Sequence, residues 1–279
     1  MVEIGNDRGG ARRIRLIATD IDGTLLNSEN LLPAANRRVL NQALEQDVQI
    51  ALVTARKRGS AYAVARQLGI PCACIAHNGA RIWDWQGREL RHLVIDFALA
   101  QEIARFADRH AIPLILTVDE INLYSPAYPF RSEFRGPEDR QVASSFDALT
   151  APPTRVIATG AEGVDLLCDA FGSAPDSIVV HRYYSREGSV ASAVLTHPRA
   201  TKEDALAELT QQIGVRPDEV LTLGDAEADA GMLRWAGVGV AMGNAMPEAR
   251  AAADWVAPTH DEAGLAAAIE RFVLRSPVS

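Results

Sequence analysis

Two aspartates separated by one isoleucine close an apolar stretch near the start of the chain, in "IRLIATDIDGTLLN" at 14–27. Asp20 and Asp22 are a poor structural ending for a strand, because adjacent carboxylates repel unless a cation lies between them. Further acids occur in "GDAEAD" at 224–229, where Asp225 follows an apolar run and Asp229 comes one helical turn later. Thr54 ends the apolar run "VQIALVT", and Lys202 stands in the first turn of a helix that starts at Thr201. Taken singly, each has an ordinary explanation, since Asp and Thr are common helix caps after strands. Together they gather carboxylates, a hydroxyl and an ammonium at strand ends, which is where open parallel sheets bind ligands. Two unit charges about 4 Å apart at an effective dielectric near 20 interact by roughly 4 kcal/mol, so several carboxylates facing one lysine demand a cation. Hard oxygen donors suit Mg²⁺, which also accepts substrate phosphate. Thr54, Lys202 and the backbone N–H groups around Gly23 and Ala55 would then hold phosphate oxygens, completing a phosphoryl-transfer site with an aspartate nucleophile.

The elements that would position these residues are legible in the hydrophobic pattern. A strand at about 14–19, a helix from Pro33, the strand "VQIALVT", a helix closed by Gly69 and the strand "PCACIAHNGA" spell βαβαβ. The pattern then changes. "RIWDW" and "ELRHLVI" form a hairpin turned at Gln86-Gly87, and a helix follows over 97–110. The strands "IPLILTV", "INLY", "TRVIATG", "SIVVHRYY" and "VASAVLTH" come next, with a helix near 161–171. Short turns between neighbouring strands indicate an antiparallel sheet. From Thr201 the alternation of helix and parallel strand returns, through "EVLTLGD", "VGVAM" and "DWVA", to a last helix near 261–274. The expected fold is therefore α/β, a doubly wound parallel-sheet core at 14–81 and 198–279. An α+β cap is inserted at 82–197, and a loose tail occupies 1–13.

Composition narrows the function. The chain has 279 residues, 48% hydrophobic and 23% charged, with a net charge of −8. That acidity disfavours nucleic acid and anionic membranes as partners, though not a small anionic metabolite with a metal. The N-terminal segment has no apolar core and no run reaches membrane-spanning length, so a cytoplasmic protein is expected. Cys72, Cys74 and Cys168 are odd in number and lack metal-ligand spacing. The glycine-rich "GVGVAMG" lies inside a strand rather than between strand and helix, which argues against a dinucleotide loop.

The ordered motifs "DIDGTLL", "TAR" at 54–56, Lys202 and "GDAEAD" resemble those of haloacid dehalogenase superfamily phosphatases of the Cof-type branch. "HNGA" at 77–80 and "VAMGNA" at 240–245 are also typical of that branch. The resemblance implies that Asp20 is the nucleophile and Asp22 the general acid and base. It implies Mg²⁺ held by Asp20, the Asp22 carbonyl and Asp225, with Asp229 behind them. Phosphate would meet Ile21, Thr54, Ala55 and Lys202. Arg131, Arg135, Arg182, Tyr183, Asn78 and Asn244 are candidates for contacting the rest of a small phosphomonoester, a sugar phosphate or phosphorylated cofactor. Two positions depart from the pattern: Ala55 stands where the family has glycine, and Ala228 where it has asparagine. A sugar phosphomutase is the nearest rival, and a phospho-accepting signalling domain a remoter one.

Overall fold

The computed structural model describes residues 13–129, 136, 138–172, 176–184 and 188–274. In chain order the first elements are β1 (Leu16–Thr19), α1 (Ala34–Leu44), β2 (Gln49–Val53), α2 (Arg58–Leu68) and β3 (Ala73–Ala76). Next come β4 (Arg81–Trp83), β5 (Glu89–His92), α3 (Phe97–Arg109), β6 (Leu114–Val118), β7 (Ile121–Tyr124) and β8 (Arg140–Gln141). They are followed by α4 (Ser145–Ala148), β9 (Arg155–Thr159), α5 (Ala161–Phe171), β10 (Val179–Tyr184) and β11 (Val190–Thr196). The last are α6 (Lys202–Ile213), β12 (Val220–Gly224), α7 (Ala230–Trp235), β13 (Val238–Ala241), α8 (Pro247–Ala252), β14 (Trp255–Val256) and α9 (Gly264–Ile269). By contact the chain divides into two compact units. One holds Met1–Leu52, Ala65–Cys72 and Ala207–Ser279; the other holds Val53–Val64 and Ala73–Leu206.

In the first unit the strands run in the order β14-β13-β12-β1-β2, and every pairing is parallel. All four residues of β1 and all five of β12 are buried. A parallel sheet covered by helices on both faces produces such unbroken apolar runs. β1 is central, and β2 and β12 leave it on opposite sides. This is the strand-order reversal at which ligands bind in doubly wound sheets. Pro33 caps α1, as its fixed φ favours.

In the second unit β3, β4 and β5 form an antiparallel ladder. A separate six-stranded sheet has the order β10-β11-β9-β6-β7-β8, antiparallel except where β7 meets β8. Ile103 and Ala107 of α3 and Leu167 of α5 pack with Leu116, Val156 and Leu195 of that sheet into one core. The antiparallel pattern was legible, but the hairpin at 81–92, expected in the cap, pairs with β3 instead. Its cause lies in the turn after β3. Asn78 and Gly79 take φ of 57° and 100°, which sends β4 straight back along β3. A Cβ on Gly79 would lie 2.1 Å from the Thr201 carbonyl oxygen, so only glycine fits there. The segment 125–140, expected as one loop, ends in the short β8, and α4 follows it. Asp108 of α3 fastens α4 by accepting from the N–H groups of Ser145 and Phe146, both at 3.0 Å. Of the tail expected at 1–13, only Arg13 is among the described residues.

Candidate active site

The acidic residues belong to the first unit. The Asp20 N–H donates to the Leu223 carbonyl at 2.9 Å, extending the β1–β12 ladder one residue and burying Asp20. The chain then leaves the sheet in one loose turn over Ile21–Leu25, opened by Gly23 at φ 75°. Ile21 is fully buried, so the side chain between the two aspartates points into the core, while Asp22 is exposed. Beyond β12, Asp229 accepts from the N–H groups of Asp225 and Ala226 at 3.0 and 2.9 Å through one oxygen. Asp225 accepts from the Thr24 hydroxyl at 3.1 Å. The result is a cluster in which Asp20, Asp225 and Asp229 each offer a carboxylate oxygen within 4.8 Å of the others.

Three like charges so close repel strongly, and their all-oxygen donor set fits a hard divalent cation of the Mg²⁺ type. Asp229, expected behind the other ligands, offers a carboxylate oxygen within the cluster and holds the 225–226 backbone through Oδ2. Asn244 also differs. Its amide donates to the Gly23 carbonyl at 2.9 Å, reaches Asp225 at 3.5 Å, and accepts from the His260 N–H at 3.0 Å. The side chain braces the acidic turn. Ala228 lies between Glu227 and Asp229 in a single 3-10 turn.

Thr54 and Lys202 belong to the second unit, and both are nearly fully buried. Three carbonyls in the "TAR" turn have internal donors. Thr54 O accepts from the Asn78 N–H at 3.1 Å, Ala55 O from the Arg155 guanidinium at 2.5 Å, and Arg56 O from the His77 N–H at 3.0 Å. The Thr54 hydroxyl oxygen accepts from the Arg56 N–H at 3.1 Å, which leaves its proton to donate elsewhere. Ala55 is not among the residues of positive φ, so the backbone here does not require the glycine of the motif it resembles. Lys202 opens α6, whose first turn is capped by the Thr201 hydroxyl accepting from the Asp204 N–H at 3.1 Å.

The remaining candidates separate. Asn78 and Tyr183 come together, the amide donating to the phenol oxygen at 2.9 Å. Arg182, next to Tyr183 on β10, is exposed; strand alternation puts it on the opposite face from Tyr183. Arg131 and Arg135 lie outside the described residues.

The structure adds two groups that the sequence did not single out. Arg155, the first residue of β9, is almost completely buried, and burial pulls its guanidinium down to about 10, still charged at neutral pH. Glu120, in the β6–β7 turn, accepts from His77 Nε2 at 2.7 Å, from Arg81 at 3.2 Å and from the Arg58 N–H at 2.9 Å. Burial would raise the Glu120 carboxyl, but His77, Arg81 and the Arg58 N–H outweigh it and hold it down to about 2. Burial, with the Arg155 charge, pulls His77 down to about 4. At neutral pH this contact is therefore a neutral imidazole N–H donating to a carboxylate, rather than an ion pair. The only local hint was the pair Asp119-Glu120, which adopts positive φ at both positions.

The family model for haloacid dehalogenase-like hydrolases matches residues 17–269. The phosphatase YwpJ of Bacillus subtilis is 29% identical, over 91% of this chain and 98% of its own length. The 5-amino-6-(5-phospho-D-ribitylamino)uracil phosphatase YcsE of the same species is 28% identical, over 94% and 96%. The chain spans only 46% of another relative, a chloroplastic protein of Arabidopsis thaliana named endoribonuclease YBEY, at 26% identity. Among solved structures, a haloacid dehalogenase-like hydrolase from Bacteroides thetaiotaomicron superposes with a TM-score of 0.77 at 25% identity, covering 93% of this chain and 99% of that one. The motifs, the strand-order reversal and the matched model agree: the chain belongs to the haloacid dehalogenase-like hydrolases, in the Cof-type branch.

Proposed function

We propose that this enzyme is a Mg²⁺-dependent phosphatase that hydrolyses a small phosphomonoester, a sugar phosphate or phosphorylated cofactor, through an aspartyl phosphate on Asp20. The observation that carries this reading is the Asp20–Asp225–Asp229 carboxylate cluster at the carboxyl ends of β1 and β12. Mg²⁺, held by Asp20, the Asp22 carbonyl and Asp225 with Asp229 beside them, would neutralise charge on the phosphoryl oxygens. A carboxylate oxygen of Asp20 attacks phosphorus, and the bond to the ester oxygen breaks. Asp22 gives its proton to that leaving alkoxide. The exposed Asp22 carboxylate then takes a proton from a water that attacks the same phosphorus, and Asp20 departs as a carboxylate with inorganic phosphate as product. The motif assignment gives the phosphate oxygens to the Thr54 hydroxyl, the N–H groups of Ile21 and Ala55, and the Lys202 ammonium. Residues 97–196, which carry the six-stranded sheet, act as the cap that selects the leaving group, with the Asn78–Tyr183 pair as the candidate contact. The substrate named for the YcsE relative, a phosphoribityl compound, is of the proposed class. Among the described residues no helix is long and apolar enough to cross a membrane.

Phosphate release from a panel of small phosphomonoesters, with Mg²⁺ and with chelator, tests the proposal. Turnover should require the metal and fall at least about a thousandfold in Asp20→Asn, as expected when a covalent nucleophile is lost. Substantial turnover by purified Asp20→Asn, or full activity under chelation, would refute it.

A further inference from the structure

The "TAR" turn is held by a residue a hundred positions away. Arg155 is 7% exposed, and its guanidinium donates through one terminal nitrogen to the Ala55 carbonyl at 2.5 Å and through Nε to the Thr117 hydroxyl at 3.2 Å. Thr117 in turn donates to Asn122 at 2.8 Å, which leaves its oxygen to accept from Arg155. The Ala55 carbonyl belongs to the same peptide group as the Arg56 N–H, and that N–H donates to the Thr54 hydroxyl oxygen at 3.1 Å. A cation on the carbonyl polarises the peptide and strengthens the N–H as a donor. A hydroxyl oxygen that accepts a strong hydrogen bond has its rotor fixed, and its proton becomes a better donor. The order is guanidinium, carbonyl, amide, hydroxyl, and every link points toward Thr54.

We infer that Arg155 is a positioning residue for phosphate, acting through the Ala55–Arg56 peptide to orient and strengthen the Thr54 hydroxyl as a donor. The inference rests on the proposal that Thr54 contacts phosphate. A solvated surface arginine would act in this way far more weakly, because water would screen its charge; at this burial the screening at the peptide is reduced. Burial of a guanidinium is costly, and the carboxylates of Glu120 and Asp139 supply compensating negative potential. The environment is therefore arranged to keep a charge at the Ala55 carbonyl, where an apolar side chain would be sufficient for packing alone. The step is one of binding, with no bond made or broken.

A double-mutant cycle on the affinity for inorganic phosphate, measured by calorimetry at saturating Mg²⁺, tests this. Thr54→Val should raise the phosphate dissociation constant about tenfold, the loss of one hydrogen bond to a charged group. Arg155→Met, close in length and uncharged, should raise it about three- to tenfold in the otherwise native chain. In the Thr54→Val background the same change should have less than about a twofold effect, because the donor it orients is gone. Arg155→Lys, which restores charge and donor, should recover most of the affinity. Equal effects of Arg155→Met in both backgrounds would overturn the inference and leave Arg155 a structural residue. An unchanged constant in Thr54→Val would instead overturn the assignment of Thr54 to phosphate, and this inference with it. If Arg155→Met does not fold, Thr117→Val carries the test: it removes the oxygen that aims the guanidinium but keeps its charge, and it should weaken phosphate binding only when Thr54 is present.

Discussion

Under the proposed Mg²⁺ assignment, Gly23→Ala should weaken metal binding before it costs the chain its fold. A Cβ at this position would sit 2.3 Å from Asp225 Oδ2 and 2.8 Å from its Cγ. Ordinary contact begins near 3.4 Å, so the carboxylate must retreat by the difference between 3.4 and 2.3 Å, about 1.1 Å. Asp225 cannot make that move and keep its partners, since Thr24 holds one oxygen at 3.1 Å and Asn244 reaches the other at 3.5 Å. Mg²⁺ tolerates little error in ligand distance or direction, and disturbing the shell that orients a metal ligand typically costs about 10–100-fold in affinity. The backbone cost is separate: alanine at φ 75° loses roughly 1–2 kcal/mol. In a chain of this size that lowers the melting temperature by about 2–8 °C. Gly69→Ala is the control, because Gly69 has φ 72° and no atom within 4 Å of the position of its Cβ. Calorimetric Mg²⁺ titrations should show at least about a tenfold loss for Gly23→Ala and no change for Gly69→Ala, with similar losses of melting temperature in metal-free buffer. Magnesium affinities within about twofold of each other in the two folded variants would refute both the ligand role of Asp225 and the cluster as the metal site.

Two further outcomes are expected. Ala228→Asn, which returns the family's amide, should lower the inhibition constant of inorganic phosphate about tenfold, measured on an aryl phosphate at saturating Mg²⁺; an unchanged constant would mean that position 228 does not face phosphate. Stability should fall on acidification, because His77 has its folded value near 4, below its ordinary 6.5. Its contribution is complete above about 6.5 and is lost as the pH drops toward 4, since the unfolded chain binds the proton first. The contribution is of order 3 kcal/mol at most. Urea melts of His77→Asn, whose side chain tolerates the local positive φ, should show a weaker loss between about pH 7 and 5 than the native chain; parallel losses would refute the assignment.

The parallel half of the fold was legible because its signal is local. Leu16–Thr19 and Val220–Gly224 are short, largely apolar runs, each followed by an aspartate, and the repetition of that pattern is what marks the strand ends. The antiparallel sheet was legible from its short turns. The hairpin at 81–92 was assigned to the wrong neighbours because its own sequence specifies only that two strands pair. Which sheet they join depends on the reversal at Asn78-Gly79 and on the close approach of the Thr201 carbonyl, far from Gly79 in the chain. Arg155 was invisible for the same reason. In "TRVIATG" it reads as a charged residue at a solvated strand start, and nothing nearby indicates that its partner is the carbonyl of Ala55. Asn244 was noticed through its motif but placed against the substrate, whereas its amide holds the backbone of Gly23. A motif marks a residue without saying which way its side chain faces.

The two departures from the family pattern have opposite consequences, and the reason is the difference between a backbone and a side-chain requirement. At Ala55 the useful group is an N–H, which every residue but proline carries. A glycine would be needed only if φ were positive, and it is not. With the carbonyls of Thr54 and Ala55 anchored by Asn78 and Arg155, the turn keeps its shape with a methyl group on it. At Ala228 the group lost is a side-chain amide, which no backbone atom replaces. Asn244, the nearest asparagine by motif, is engaged at both ends, with Gly23 and Asp225 on its donor side and His260 on its acceptor side. Moving it to phosphate would release the turn that holds Asp225. On the proposed assignment of position 228 to phosphate, the chain keeps the turn that holds Asp225 and is expected to bind inorganic phosphate more weakly than its Ala228→Asn variant.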